Sequence, residues 1–270
     1  MVNAITGFRL LQRVWLCTLA CLPLASLASE VASASLPQVI HYGVRSEKRI
    51  ALTFDACSSI NQSQLDRKLV QVLIEHQVPA TLFMGGKWVE DQPEAARQLA
   101  ANPLFEIANH GFHHRHLTRL DRAAIKQELV RAQEAIESIT GVRPRYFRAP
   151  YGEYDGKLVK VAASLGMTTI QYDLASGDPD KRATAKRLSR YVLHHVQGGS
   201  IVVMHINRRG WHTAEALPTI IRDLREQGYT FVTVSDLLNA PFEAAPLLLA
   251  RIDTAANALV EPDLLEALAP

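Results

Sequence analysis

Apolar residues recur along this chain in two rhythms. Short runs such as Ile50-Ala51-Leu52-Thr53-Phe54 and Ile201-Val202-Val203-Met204 are almost continuously apolar, as strands buried on both faces are. Between such runs lie segments whose apolar residues return every three or four positions, as at Leu65, Leu69, Val72 and Leu73. The pattern predicts strands over 49–54, 80–84, 105–108, 145–148, 168–172, 200–205 and 230–234. It predicts helices over 65–76, 93–101, 121–140, 156–165, 184–195 and 213–227, with Ser235 capping a short last one. Asp121 is a natural N-cap for the longest helix, and Gly141, Gly166 and Gly228 are natural stops. Strands and helices alternating in this way imply one α/β domain over 38–240 with about seven parallel strands. Residues 241–270, rich in Ala and Leu, form a tail that is helical or flexible.

The N-terminus departs from this rhythm. Arg9 and Arg13 precede a mostly apolar run from Val14 to Leu24, and Ser26-Leu27-Ala28 supplies the small residues of a cleavage site. Residues 1–29 therefore read as a signal peptide, and the mature protein as exported to the periplasm or beyond the cell. The run is too short, and too interrupted by Pro23, to span a membrane comfortably, so no span is expected after cleavage. Of the three cysteines, Cys17 and Cys21 leave with the signal. Cys57 stays without a partner for an intramolecular disulfide. The 48% hydrophobic and 21% charged content is that of an ordinary globular chain. A net charge of +2 argues against nucleic acid as a partner. Nothing in the sequence specifies an oligomeric state.

The candidate chemistry sits where predicted strands end. Asp55 follows the first apolar strand, and a carboxylate there suits general-base work, metal ligation or a plain turn. His110 and His114 are four apart, a spacing that puts two metal ligands on one face of a helical turn. It also suits two solvated histidines in a His-rich loop. Arg148 could orient Asp55 and keep it ionised. His205 ends a buried strand with a pKa in the working range, and Asp178 is a natural partner to fix its tautomer. In a parallel α/β barrel, the C-terminal strand ends form the active-site rim.

In order along the chain, Thr53-Phe54-Asp55, His110-Gly-Phe-His-His114, Arg148-Ala-Pro-Tyr-Gly152, Asp178 and Val203-Met-His205 resemble the five motifs of the polysaccharide deacetylases. This is the chitooligosaccharide-deacetylase homology domain, carbohydrate esterase family four. The resemblance covers about residues 38–240. It implies a distorted (β/α) barrel and divalent-metal-dependent removal of acetyl groups from sugars. Zinc is the expected ion, with cobalt or nickel as alternatives, on His110 and His114. The family's usual third ligand is a second Asp directly after the first, but Ala56 stands there, with Cys57 where Gly is usual. Asp55 could take that place, as could His113, His116 or Cys57, or the site could work without metal. In the fourth motif Pro179 replaces an aromatic residue and Ala175 an earlier Asp.

The resemblance implies amide hydrolysis of N-acetylated amino-sugar polymers such as peptidoglycan, chitin oligomers or exopolysaccharide. Asp55, steered by Arg148, is then the base, and His205, oriented by Asp178, the acid. The backbone N–H of Tyr151 would hold the oxyanion. Pro150, Tyr151 and Trp211 are the candidate substrate contacts, with Trp88 and Tyr154 as further aromatic platforms. Two alternatives are an O-acetyl esterase or metal-free amidohydrolase, and a non-catalytic glycan-binding protein on the same scaffold.

Overall fold

In the computed structural model, which describes residues 38–58 and 64–239, strands and helices alternate along the chain. The first half runs β1 (Val39–Ile40), β2 (Arg49–Ala56), α1 (Arg67–Glu75), β3 (Ala80–Met84), α2 (Gly86–Asp91), α3 (Pro93–Ala101) and β4 (Phe105–Asn109). It continues as α4 (Arg122–Thr140), β5 (Tyr146–Phe147), α5 (Gly156–Ser164), β6 (Thr168–Ile170) and β7 (Leu174–Ala175). The last elements are α6 (Ala185–His195), β8 (Ile201–His205), α7 (Thr213–Glu226), β9 (Thr230–Phe231) and α8 (Val234–Leu238). The expected signal segment 1–29 and tail 241–270 lie outside the described residues. No described helix is long and apolar enough to cross a membrane.

The strands form one sheet in the order β1-β6-β5-β4-β3-β2-β8-β7, with β9 also paired to β2. Every strand pair is parallel. The sheet curls: an antiparallel bridge between Tyr42 and Ser200 ties the segment after β1 to the start of β8. The close approach there needs glycine. Gly199 has φ +75°, and a Cβ on it would lie 2.6 Å from the Gly43 carbonyl oxygen.

β2 explains the architecture. All eight of its residues are buried, which is why its sequence runs apolar without alternation. Leu52, Phe54 and Ala56 belong to the large core beneath the helices, while Ala51 joins Phe83, Ala108 and Ile201 in a separate inner cluster. Thr53 and Asp55 share that inner face by the period of two. Thr53 donates its hydroxyl to the Val202 carbonyl at 2.7 Å.

The N-terminal end of the sheet is stoppered. Val234 N donates to Thr81 Oγ1 at 2.8 Å, and Ser235 Oγ bonds Glu106 and Tyr146. Thr233, not Ser235, caps α8, accepting from Asp236 N. The cleft therefore opens at the C-terminal strand ends. Three elements had no clear sequence signal, β1, α2 and β7, each six residues or shorter.

Candidate active site

Register sets the site. Asp55 on β2 pairs with His205 on β8, so both emerge side by side at the strand ends. The ladder continues past the strands. His110 N donates to Met84 O at 2.9 Å, Arg148 N to Asn109 O at 2.9 Å, and Ile206 N to Asp55 O at 3.1 Å. These bonds deliver His110, Arg148 and Asp55 to one rim.

Arg148 is fully buried and donates from Nη1 to Asp55 Oδ1 at 2.8 Å. Its guanidinium carbon lies 3.9 Å from the centre of the Phe83 ring. Burial alone would raise the Asp55 pKa, but electrostatic interaction with His110 and Arg148 brings it below the ordinary carboxylate value. Asp55 is thus held as an anion, with Oδ2 3.7 Å from His110 Nε2. His110 donates its other nitrogen, Nδ1, to the Arg148 carbonyl at 3.0 Å. That bond fixes the tautomer and leaves Nε2 as an acceptor facing Asp55.

His110 and His114 meet, with ring centroids 5.1 Å apart, but not on a helix. The 110–116 segment is a loop. Gly111 takes φ +74° and His114 φ +56°, both left-handed. The loop is tied down by Gly86 N to Gly111 O at 2.9 Å and Lys87 N to Phe112 O at 3.1 Å. Phe112 packs so closely on Gly86 that a Cβ there would sit 2.4 Å from its ring. Burial, and then the charge of His110, push the His114 pKa down to about 3, so its imidazole is neutral at ordinary pH.

His205 is equally fixed. His205 donates Nδ1–H to Asp178 Oδ1 at 2.9 Å, and its backbone N–H to Asp178 Oδ2 at 2.7 Å. Thr213 Oγ1 donates to the same Oδ2 at 2.8 Å. Burial would lower the His205 pKa, but the charge and hydrogen bond of Asp178 overcome it and raise it.

These groups line a cleft of about 200 Å³ bounded by Asp55, His110, His114, Tyr151, Tyr172, Asp178, His205 and Arg209, among others. Tyr151 stands at its mouth, half exposed, stacked on His116 at 4.0 Å and in the left-handed region at φ +61°. Other sequence candidates fall elsewhere. Pro150 is buried beneath that turn, and Trp88 is fully buried in the core, so neither can be a sugar platform. Trp211 is exposed beside the cleft with the Lys181 ammonium 4.9 Å from its ring. Arg209, part of the polar loop of Arg208, Arg209 and Trp211 after His205 that the sequence offers as a shaper of the groove, lines the cleft, as does Tyr172, which no motif contains. Tyr172 lies two residues past β6, whose Thr-Thr-Ile sequence gave no apolar run to point at it.

The donors do not fit a three-ligand metal ion. Ala56 faces the apolar core, away from Asp55. His113 is bound to Glu128 at 2.7 Å and His116 to Glu153 at 2.9 Å. Cys57 lies buried against Asn207, whose Nδ2 is 3.3 Å from its sulfur. Asp55 gives Oδ1 to Arg148 and has only Oδ2 to offer, 3.7 Å from His110 Nε2. Among the described residues, no three His, Cys, Asp or Glu side chains group as metal ligands.

The curled parallel sheet with its cleft at the C-terminal strand ends is an α/β half-barrel of the kind found in carbohydrate esterase family four. Residues 43–170 match the model of the family described as polysaccharide deacetylase. The chain is 32% identical over 203 residues to the peptidoglycan-N-acetylmuramic acid deacetylase PdaA of Bacillus subtilis, covering 73% of this chain and 74% of that one. It belongs to the polysaccharide deacetylase family. It is 31% identical over 172 residues to the uncharacterized protein YlxY of Bacillus subtilis, covering 64% of this chain but 52% of that protein. The chain therefore spans about half the length of that relative. Its fold is similar to the crystal structure of BA3943, a family-four pseudoenzyme from Bacillus anthracis. The TM-score is 0.68 at 30% identity, covering 75% of this chain and 69% of that one.

Proposed function

We propose that this chain binds N-acetylated amino-sugar polymers and hydrolyses their acetamide bond. One observation carries the reading: Asp55 with Arg148 and His205 with Asp178 stand at paired register positions and open into one cleft. Two ionic pairs that hold one group as a base and another as an acid are what amide hydrolysis requires.

Asp55 Oδ2 and His110 Nε2, 3.7 Å apart, are both acceptors. A water donating one proton to each is left with its lone pairs directed at an acyl carbon. Asp55 takes its proton as the C–O bond forms. The oxyanion lies toward the Tyr151 backbone N–H, the role the family resemblance gives that group. His205 Nε2 then passes its proton to the departing amine, and Asp178 stabilises the imidazolium before it does so. The products are acetate and a free amino sugar.

Export through residues 1–29, with 38–240 as the working domain, suits a wall or extracellular glycan as substrate. The relatives named for peptidoglycan deacetylation support the same class.

Acetate release from acetylated peptidoglycan and chitin oligomers tests the reading. Wild type is expected to release acetate, and Asp55→Asn and His205→Gln to lose at least about a hundredfold in rate. No release from any such polymer, with or without added zinc or cobalt, overturns it. Ala56 favours one other reading, a glycan-binding protein without turnover. That reading is distinguished by oligomer binding without acetate release.

A further inference from the structure

One hydroxyl in the cleft is left unused by the fold. Tyr172 lines the cleft together with Asp55, Tyr151 and Gly152. Its ring packs against the inner core cluster that contains Phe83 and Ile170. The Arg148 guanidinium carbon lies 5.6 Å from the centre of that ring. The backbone on either side is pinned. Gln171 N donates to Ile40 O at 2.7 Å, and His41 Nδ1 donates to the Tyr172 carbonyl at 3.2 Å. The phenol oxygen itself has no hydrogen-bond partner among the described residues. Asp55, Asp178 and His205, in the same cleft, each have one.

The neighbouring turn sets where that hydroxyl stands. Gly152 takes φ +69°, and a Cβ on it would lie 2.7 Å from Tyr172 Oη. The Tyr151-Gly152 turn therefore closes directly on the hydroxyl, an approach that only glycine allows. Burial, and then the charge of Asp55, push the phenol pKa above its ordinary value, so the group keeps its proton and serves as a donor. Donors fixed in place before the reaction and aimed at developing charge are what stabilise an oxyanion.

We propose that Tyr172 is a further catalytic residue, whose hydroxyl donates a hydrogen bond to the acyl oxygen beside the Tyr151 backbone N–H. The bond strengthens as that oxygen becomes an oxyanion. The phenol keeps its proton throughout, so proton transfer stays with Asp55 and His205. The proposal rests on the glycan-hydrolysis reading above.

The test compares two oligomers of the peptidoglycan glycan strand, equal in length, by calorimetric affinity. One carries the ordinary planar acetamide. In the other each acetamide is replaced by a methylphosphonamidate, which is tetrahedral and anionic. Wild type is expected to bind the phosphonamidate at least about a hundredfold more tightly, the low end for transition-state analogues. In Tyr172→Phe that preference falls about tenfold or more, the scale of one hydrogen bond to a charged group, while acetamide affinity is unchanged. Acetate release by the same variant falls in kcat by a similar factor, with KM unaltered. The substitution keeps the packed ring, and circular dichroism and Tm establish that it folds. A preference that Tyr172→Phe leaves intact, or a loss confined to acetamide affinity and KM, overturns the proposal while sparing the glycan-hydrolysis reading. Wild type that binds neither oligomer, or binds both alike, overturns both.

Discussion

The pair of Arg148 and Asp55 is the group on which most of the site depends. Arg148 is fully buried, so removing it leaves an unpaired carboxylate in a low-dielectric interior. Arg148→Ala is expected to cost about 3–5 kcal/mol of stability, read from urea unfolding. A cost below 1 kcal/mol would show, on the same principle, that the pair is solvated. His205 gives a prediction in pH. Its folded pKa is raised, so its contribution to stability is complete below the ordinary imidazole value of 6.5 and is lost as pH rises through the raised value. The stability advantage of wild type over His205→Gln should therefore shrink with rising pH, measured as Tm across a buffer series. Because the donors fall short of three, chelation is expected to leave Tm unchanged. A fall of several degrees would reveal a third donor. Much of this was legible in the sequence, because a polar residue ending an apolar strand has few structural reasons to be there. Asp55 and His205 stood out on that ground. His110 and His114 stood out by spacing, yet the left-handed loop that joins them obeys no period. Arg209 was one arginine beside another, and only the backbone turn at Arg208 separates their directions.

Among the elements, α4 shows local signals agreeing with the fold. Asp121 accepts from Ala124 N at 2.8 Å, and Gly141 closes the helix at φ +73°. Asp121→Ala is expected to cost about 1 kcal/mol in thermal unfolding, the usual worth of an N-cap. Its apolar stripe places Ile125, Leu129 and Ile136 in the cores beneath it, which is why its period was readable. The elements that went unread are those without length to show a period. β7 is two residues, and α2 six, begun by a glycine with no side-chain cap. β5 is shorter than 145–148 because Arg145 and Arg148 lie outside its pairing, and β9 ends at Phe231 because buried Val232 leads straight into α8 at Val234.

For the molecule as a whole, β2 is the axis. It pairs with β3, β8 and β9, contributes to both the inner and the outer core, and ends at Asp55. Amides of β2, β3 and β8 are expected to exchange with solvent only through global unfolding, while those of β1 and β7 at the sheet's ends exchange sooner. Hydrogen exchange followed by mass spectrometry separates the two groups, and uniform protection would show that the sheet opens as one unit. The strand order could not be read from the sequence, since all the apolar runs look alike. Their neighbours are chosen by packing across long separations.

Ala56 also bears on how this chain can change over time. Alanine differs from the family's usual aspartate by a carboxyl group alone, so the change looks small in the sequence. The step does not lead directly back. Ala56 is fully buried with Leu52 and Phe54 in the outer core, and a carboxylate delivered there meets hydrocarbon before it meets a metal. A carboxylate restored at position 56 therefore requires the packing around it to change as well.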